Sequence, residues 1–313
     1  MKWRLHDHDV HLTPTDASHP GGGVMTARPF RFGVVATPQG GPEQWIDTAR
    51  RAEELGYSTL LMPDGPQLLA PFPSLAVAAS VTTTLRVGTF VLASPLRPPR
   101  SAAWEAHSLT ELTGGRFELG IGTGRPEVQR AAELLGMPAS TGAQRLQQVA
   151  STVEHLRELD GDHRTPVLMA AGGPKARALA AEIVDTVTLA ADPLASRDEF
   201  TAMSSDLRAT AGERADHIEL AMNLFVVGDE VPPWTQAFIG ADAATLIAHD
   251  SLTMLRGTTA EMADELQRRR DGFGVLRQRQ RHLRRATRAG SPTARRTLIR
   301  GVVCACSRVR GRG

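Results

Sequence analysis

The segment LTGGRFELGIGTG, residues 112–124, carries the most information about the fold. A helix-like stretch ends at its Gly-Gly turn, and the apolar run RFELGI that follows is typical of a buried strand. Gly122, Thr123 and Gly124 come directly after that run. Glycines at a strand end let the backbone approach a flat ring or a phosphate, although they can equally serve only a tight turn into a helix. The segment therefore predicts a strand that ends in a candidate ligand-binding loop.

The same alternation of strand-like and helix-like segments continues on both sides of this stretch. Seven β/α units follow one another, with strands at residues 32–36, 58–62, 85–92, 116–121, 166–170, 186–190 and 217–227. Apolar strands separated by amphipathic helices indicate an α/β protein with a parallel sheet. About 250 residues of such units match the size of a TIM (β/α)8-type barrel, although a doubly wound sheet also fits the alternation.

The composition changes where an eighth strand is expected, after FGV at residues 273–275. Residues 276–313 contain twelve arginines and no Asp, Glu or Lys, and they show no alternation. We therefore expect an irregular Arg-rich tail in place of the eighth strand and helix, which would leave the barrel with an open edge. A reading frame shifted past Gly274 explains this abrupt start, and translation of the other frames tests it. A nucleic-acid-binding arm is the alternative, but the tail has no aromatic residues for stacking.

Three parts of the chain are predicted: a leader (1–28), a barrel domain (29–275) and the tail (276–313). The leader is polar and rich in His and Gly, so we expect it to be disordered. It lacks the apolar centre of a signal peptide, and its histidines match no defined metal-site spacing. The sequence thus predicts neither export nor a bound metal.

Charge and cysteine content limit the partners and the compartment. The chain has 36 basic and 34 acidic residues, and the part before the tail has 24 basic residues against the same 34 acidic ones. An acidic body argues against a nucleic-acid partner. No apolar run approaches the roughly 20 residues of a membrane helix. Both cysteines, Cys304 and Cys306, lie in the tail, so we expect a cytoplasmic protein without disulfides or thiol catalysis in the barrel.

Five segments carry a recognisable pattern in this order: AEELGYSTLLMPD (52–64), LRVGTFVLASPLRPP (85–99), LTGGRFELGIGTG (112–124), PVLMAAGGPKARALAAEIVDTV (166–187) and MLRGTTAEMADELQRRRDGFGV (254–275). Together they resemble the luciferase-like monooxygenases, and within them the actinobacterial branch that depends on coenzyme F420. The resemblance implies an oxidoreductase, acting as a homodimer, that passes a hydride between F420 and a small organic substrate. One alternative is an FMN-dependent monooxygenase supplied by a partner reductase. Another is an inactive barrel, or a binding protein with a basic tail.

Strand ends and the resemblance together give the candidate cofactor-binding residues, which are Asp64, Thr89, Gly122, Thr123, Gly124, Gly172 and Gly173. Gly172 and Gly173 precede a helix whose first N–H groups can bind the cofactor phosphate. By resemblance, Thr89 contacts the cofactor ring. A β-branched residue that only fills the barrel is the other interpretation of Thr89.

The catalytic residue is not assigned, and Asp64 is the candidate for it. Members of the family often carry Asp-His at the end of the second strand, whereas this chain has Asp64-Gly65. The imidazole that usually exchanges protons near neutral pH is therefore missing. Glu105 and His107 lie on the predicted third helix and are interpreted as surface or packing residues.

Overall fold

The computed structural model describes residues 30–231 and 234–273, together with the backbone of residues 303–307. The predicted leader and most of the predicted tail lie outside these residues, so the three-part division of the chain stays a prediction. Within the described ranges, no helix has the length and apolar character needed to cross a membrane.

Eight strands form a closed ring, which confirms the TIM-barrel class and excludes the open, doubly wound sheet. The ring runs β1-β2-β3-β5-β6-β7-β8-β11, and β11 pairs back with β1. The strands are β1 Arg31–Val35, β2 Thr59–Met62, β3 Arg86–Thr89, β4 Leu92–Ala93, β5 Phe117–Gly122, β6 Val167–Ala171, β7 Thr186–Leu189, β8 Glu219–Leu224, β9 Val226–Val227, β10 Met254–Leu255 and β11 Val303–Ser307. Short strand β4 continues β3 along β5, and β9 pairs with β10 outside the ring.

One expectation from the sequence was wrong, namely that no strand fills the eighth position of the ring. Residues 303–307, within the predicted irregular tail, form β11 between β8 and β1. This strand is antiparallel to both neighbours, whereas the other ring strands pair in parallel. It supplies the hydrogen-bond partners that β1 and β8 would otherwise lack at an open edge. The shifted reading frame stays a prediction.

The helices follow the strands in the expected order. They are α1 Pro42–Glu54, α2 Pro71–Ser80, α3 Pro99–Leu112, α4 Val128–Leu134, α5 Gly142–Asp160, α6 Pro174–Ile183, α7 Arg197–Ala211, α8 Trp234–Ile239, α9 Ala243–Ala248 and α10 Thr259–Gly272. Helices α1, α2, α3 and α6 begin with proline, which loses no hydrogen bond at that position. The long segment between β5 and β6 holds two helices, α4 and α5, since Gly136 with φ +71° stops the first.

Alternate residues of each strand face the helices or the barrel interior. Outward-facing side chains such as Leu60 and Met169 are fully buried in the main core between sheet and helices. Leu61 and Ala221 instead form a separate small cluster with Val35 and Phe90. This cluster lies inside the barrel because its strand residues have the opposite parity to those of the main core.

A network of charges fills the barrel interior at the N-terminal ends of the strands. Arg31 Nη1 lies 3.0 Å from Glu118 Oε1, and its Nη2 lies 2.8 Å from Glu219 Oε2. Arg86 also donates to Glu118. Burial raises the pKa of Glu118, but the charges of Arg31 and Arg86 outweigh this and lower the pKa overall. The barrel floor is thus closed by ion pairs, and the space for a ligand is left at the opposite end.

Glu53 of α1 holds the chain segment that leads into β3 through hydrogen bonds. We expect its replacement by glutamine to destabilise the fold. One carboxylate oxygen accepts the N–H groups of Thr83, Thr84 and Leu85 at 2.6–2.9 Å. Burial raises the pKa of Glu53, but these hydrogen bonds lower it to about 2. We expect Glu53→Gln to reduce the free energy of unfolding at pH 7 by about 1–3 kcal/mol, measured by urea denaturation.

The sign of the pH dependence follows from this lowered pKa. Because the carboxyl binds its proton less readily when folded, its contribution is present above the ordinary pKa of 4.5 and disappears as the pH falls towards 2. The difference between wild type and Glu53→Gln should therefore shrink on acidification. Glu54→Gln, in an exposed pair with Arg51, is the control and should change stability by less than about 0.5 kcal/mol. Equal effects of the two substitutions at pH 7 would contradict the assignment.

Candidate functional site

The C-terminal ends of the parallel ring strands lie on one face of the barrel, called the mouth below, and barrels bind ligands at that face. Gly122 ends β5 and lies beside the end of β6. A Cβ built on Gly122 would be 3.0 Å from Val91 Cγ2 and 3.7 Å from Ala170 Cβ. Gly122 is itself buried, because the Val91 side chain packs over it, so the partly exposed Val91 and Ala170 form the surface here. A planar ring can lie against these small apolar side chains, whereas a larger residue at position 122 would displace Val91.

Thr89 joins β3 to β5 rather than pointing into the mouth. Its hydroxyl donates to the Gly120 carbonyl oxygen at 2.6 Å and accepts the Gly120 N–H at 3.0 Å, and the residue is 1% exposed. Regular pairing of β3 with β5 covers only Val87 and Gly88, so Thr89 extends the connection beyond them. The Thr89 hydroxyl is thus already engaged in hydrogen bonds within the sheet. A contact with the cofactor ring would come from the residues that follow Thr89.

Those following residues, Phe90 and Val91, are partly exposed at the mouth and are joined by a cis peptide bond. Phe90 packs against Leu61 and Ala221 inside the barrel. The sequence analysis missed both residues as site candidates. Their position between β3 and β4, where strand pairing with β5 is interrupted, becomes visible only when the ring is closed.

Asp64 anchors the same segment. Its carboxylate makes a two-pronged ion pair with Arg97, at 2.7 Å to Nη1 and 3.0 Å to Nη2, and it accepts the Ala93 N–H at 3.0 Å. Ala93 pairs with Gly122 in the sheet, so Asp64 and Gly122 are brought together through one residue. Both carboxylate oxygens are occupied, and the Asp64 side chain is only 4% exposed. This geometry suits holding the loop in place better than exchanging a proton with a substrate.

Replacing Asp64 by asparagine tests that role. The amide keeps the shape of the side chain but removes the charge paired with Arg97, so we expect a loss of about 2 kcal/mol in the free energy of unfolding. Asp229→Asn is the matched control, because the pair with Arg256 is longer, at 3.7 Å, and more exposed. It should have little effect. Urea denaturation of both variants is the measurement, and equal stabilities would contradict an anchoring role for Asp64.

Gly124 serves a turn rather than the mouth. It has φ +76°, and a Cβ there would lie 2.7 Å from Val128 Cγ2 at the start of α4. Thr123 lies between the two glycines and is partly exposed. Of the predicted triplet, Gly122 therefore shapes the wall, whereas Gly124 permits the close approach of α4.

Gly172 and Gly173 lie where β6 leads into α6. A Cβ on Gly172 would be 2.9 Å from the carbonyl oxygen of Ala190, which follows β7. Gly173 is exposed, precedes Pro174 at the first helical position, and a Cβ there would contact nothing within 4 Å. The first N–H groups of a helix have no partner within the helix, so this terminus can bind an anion. Lys175 is exposed on the same turn.

Asn223 is a polar residue at the mouth that the sequence analysis missed. It shares the inward-facing parity of Glu219 and Ala221 on β8, two residues beyond Ala221. Its amide oxygen is buried and has no hydrogen-bond partner among the described residues. Buried polar atoms usually have partners, so this amide is suited to a polar ligand atom. A single asparagine within the apolar run HIELAMNLFVV was the available signal.

Glu105 and His107 take the places expected of packing residues. His107 Nδ1 lies 3.0 Å from Asp160 Oδ1, which joins α3 to α5 in the outer layer. Burial raises the pKa of Glu105, and the Arg97 charge opposes that rise. Neither residue supplies the missing imidazole at the mouth. Glu105 lies near the Asp64–Arg97 pair, and the charges of that pair affect its pKa.

The described residues suit a phosphorylated planar cofactor. The small side chains of Val91 and Ala170 suit contact with a ring, the α6 terminus suits an anion, and the Asn223 amide near the end of β8 offers a polar contact. The ranges 30–231 and 234–273 contain no group of three or more His, Cys, Asp or Glu side chains that could hold a metal. The site therefore fits a cofactor held by backbone and small residues.

Comparison with known proteins identifies the family. The model of the luciferase-like monooxygenases matches residues 24–300. The F420-dependent glucose-6-phosphate dehydrogenase of Intrasporangium calvum is 31% identical over 171 residues, which cover 45% of this chain and 51% of that protein. The chain spans about half the length of the curated relatives that it first matches, for example 46% of a protein from Mycobacterium tuberculosis.

Two solved structures share the fold. One is the coenzyme F420-dependent tetrahydromethanopterin reductase of Methanopyrus kandleri, with a TM-score of 0.57, 18% identity, and coverage of 80% of this chain and 84% of that chain. The other is the oxygenating constituent of 3,6-diketocamphane monooxygenase from Pseudomonas putida in complex with FMN. Its TM-score is 0.59 and its identity 14%, with coverage of 79% and 89%. Because the family model matches most of the chain, the protein belongs to the luciferase-like monooxygenase family, whose members are oxidoreductases that use F420 or FMN.

Proposed function

We propose that the protein binds coenzyme F420 at the barrel mouth and uses it to transfer a hydride to or from a small organic substrate. The wall of small apolar side chains at Val91 and Ala170, at the strand ends that also carry the α6 terminus at Gly173, is the observation that carries the proposal. Curated relatives named as F420-dependent enzymes support F420 over FMN. The protein would act in the cytoplasm, without a nucleic-acid or membrane partner.

The residues of the chain would bind, orient and shield. When bound, the cofactor supplies a ring carbon that gives or accepts a hydride. Phe90 and Val91, the latter packed on Gly122, would present a face to the ring, and the backbone at Gly173 would hold the phosphate. Asn223 would orient one polar atom of the ring or the substrate. Because Asp64 is already paired with Arg97, no side chain of this set is free to act as an acid, and protons would exchange with solvent.

The FMN-dependent monooxygenase is the second candidate. An FMN-bound monooxygenase with the same fold supports it. In that case a separate reductase would supply reduced FMN, and oxygen would be a substrate. The two candidates share the binding residues and differ in whether the reduced cofactor reacts with oxygen.

Anaerobic titration with F420 and with FMN, followed by cofactor fluorescence, distinguishes these candidates. We expect saturable binding of F420, weaker binding of FMN, and no oxygen uptake when reduced F420 is added. Tight FMN binding, with rapid oxygen uptake on addition of reduced FMN, would favour the monooxygenase. Binding of neither cofactor would contradict both and favour an inactive barrel or a binding protein.

A homodimer is proposed from the resemblance, and the outer helices offer a surface for it. Trp104 and Leu112 of α3 are 66% and 82% exposed, and Val77 of the adjacent α2 is 42% exposed. Large apolar side chains gathered on adjacent helices are typical of an interface. We expect light scattering to give the mass of a dimer and Trp104→Ser/Leu112→Ser to give that of a monomer. A monomeric wild type would contradict the proposal.

A further inference from the structure

Arg177 of α6 connects the outer helices to the loop at Gly172. Its Nη1 donates to the carbonyl oxygen of Gly172. Its Nε and Nη2 both bind Asp206 Oδ2 of α7, at 2.8 and 2.7 Å. The Arg177 side chain is 12% exposed, whereas Asp206 is half exposed. One guanidinium therefore links the first turn of α6, the middle of α7 and the peptide that follows β6.

This contact fixes the direction of the peptide between Gly172 and Gly173. In a planar trans peptide the C=O and the N–H point in opposite directions. Since Arg177, with Asp206, holds the Gly172 C=O on the side of α6 and α7, the Gly173 N–H points away from these helices. That N–H donates to no acceptor among the described residues. It is therefore free to bind a ligand.

The loop is held on its other side as well. Ala190, after β7, approaches Gly172 so closely that a Cβ would lie 2.9 Å from the Ala190 carbonyl oxygen. The peptide is thus confined between the backbone of one neighbour and the guanidinium of another. A donor fixed in advance loses little entropy when an anion binds.

We propose that Arg177, oriented by Asp206, is the positioning residue of the phosphate site: it sets the Gly172–Gly173 peptide so that the Gly173 N–H binds the cofactor phosphate. The inference rests on the proposed binding of a phosphorylated cofactor at this loop. Arg177 acts through the peptide and not by touching the phosphate. Loss of Arg177 should therefore weaken recognition of the phosphate and leave recognition of the ring unchanged.

Two pairs of compounds, in each of which only one member carries the phosphate, test this division. FMN is compared with riboflavin, from which it differs by the phosphate alone, and F420 with its ribityl deazaflavin fragment, which lacks the phosphate and the chain attached through it. In wild type we expect the phosphorylated member to bind more tightly. In Arg177→Gln, the ratio of the two dissociation constants should fall about tenfold, while that of the phosphate-free member stays within twofold. Arg177→Lys should restore part of the ratio, because lysine keeps a donor for the Gly172 carbonyl.

Two further variants complete the design. Asp206→Asn should lower the ratio in the same direction but less, because it only loosens the orientation of Arg177. Arg164→Gln is the matched control, since Arg164 pairs with Asp185 at the opposite end of β6 and is 55% exposed. It should leave the ratio unchanged.

The outcomes separate this inference from the proposed function. A wild type that binds none of the four compounds defeats the proposed function. A wild type that prefers phosphorylated cofactors, with the same ratio in Arg177→Gln, overturns only the positioning role. Equal weakening of both members of a pair also overturns it, because Arg177 would then support the fold in general. Should Arg177→Gln fail to fold, Asp206→Asn and Arg177→Lys decide by the same ratio.

Discussion

Replacing Gly120 by alanine should destabilise the barrel by more than about 3 kcal/mol and abolish cofactor binding. A Cβ on Gly120 would lie 1.9 Å from the carbonyl oxygen of Thr89, which is backbone and cannot turn aside. The Thr89 hydroxyl makes both of its hydrogen bonds with the Gly120 backbone. A movement of Gly120 away from Thr89 would therefore break the connection between β3 and β5. Phe90 and Val91, which follow Thr89, would move with it.

Gly142→Ala is the matched control for this substitution. Gly142 is the first residue of α5, and the nearest atom to its Cβ would be a side-chain nitrogen at 3.9 Å. Alanine there should be neutral or stabilise by up to about 1 kcal/mol. Urea denaturation and cofactor titration of both variants are the measurements. A Gly120→Ala variant as stable as wild type would show that the approach of β3 to β5 is not as close as described.

The second large effect is expected at the barrel floor, where Glu118→Gln should cost about 3–5 kcal/mol of the free energy of unfolding. Glu118 accepts from Arg31 and Arg86, and its side chain is 12% exposed. Glutamine is nearly the same size, so packing is preserved while the compensating charge is lost. Two guanidinium groups would then share the interior with Glu219 alone.

The pH dependence provides an internal check. Burial raises the pKa of Glu118, but Arg31 and Arg86 lower it further than burial raises it. The folded state therefore binds this proton less readily than the unfolded chain. Its stabilisation is present above the pKa of an unfolded glutamate and is lost as the pH falls below it. The difference between wild type and Glu118→Gln should shrink in acid, and a difference that grows would contradict the assignment.

An exposed glutamate provides the control for charge removal alone. Glu158 pairs with His155 on α5 and is 63% exposed, so Glu158→Gln should change stability by less than about 0.5 kcal/mol. Thermal or urea unfolding of both variants at pH 7 gives the comparison. Equal effects at Glu118 and Glu158 would mean that the barrel floor is open to solvent.

Part of the site was accessible to reasoning from the sequence. The glycines at residues 122 and 172 were found because they follow apolar strands directly, and a parallel barrel places all such ends on one face. The roles of Thr89 and Asp64 were not accessible. Thr89 bonds to Gly120, 31 residues away, and Asp64 pairs with Arg97, 33 residues away. No local pattern predicts which polar side chain meets which distant partner.

Arg177 and Asn223 are two residues that the sequence did not single out and whose surroundings only the structure reveals. Arg177 looks like any helix arginine until Gly172 and Asp206 are placed beside it. Asn223 looks like a single irregularity in an apolar strand until the strand parity turns it inward. Both depend on how the elements pack, so the sequence offered at most a hint.

By itself, the sequence determined the alternation of strands and helices, the α/β class with a parallel sheet and the glycine-rich strand ends, because side-chain period and turn residues act locally. Only the tertiary structure decided how the ring closes. It placed residues 303–307 antiparallel in the eighth position, joined β3 to β5 through Thr89 and set Asp64 against Arg97. These features depend on pairing between residues that are distant in the chain, and such pairing is fixed only when all the strands share one closed sheet.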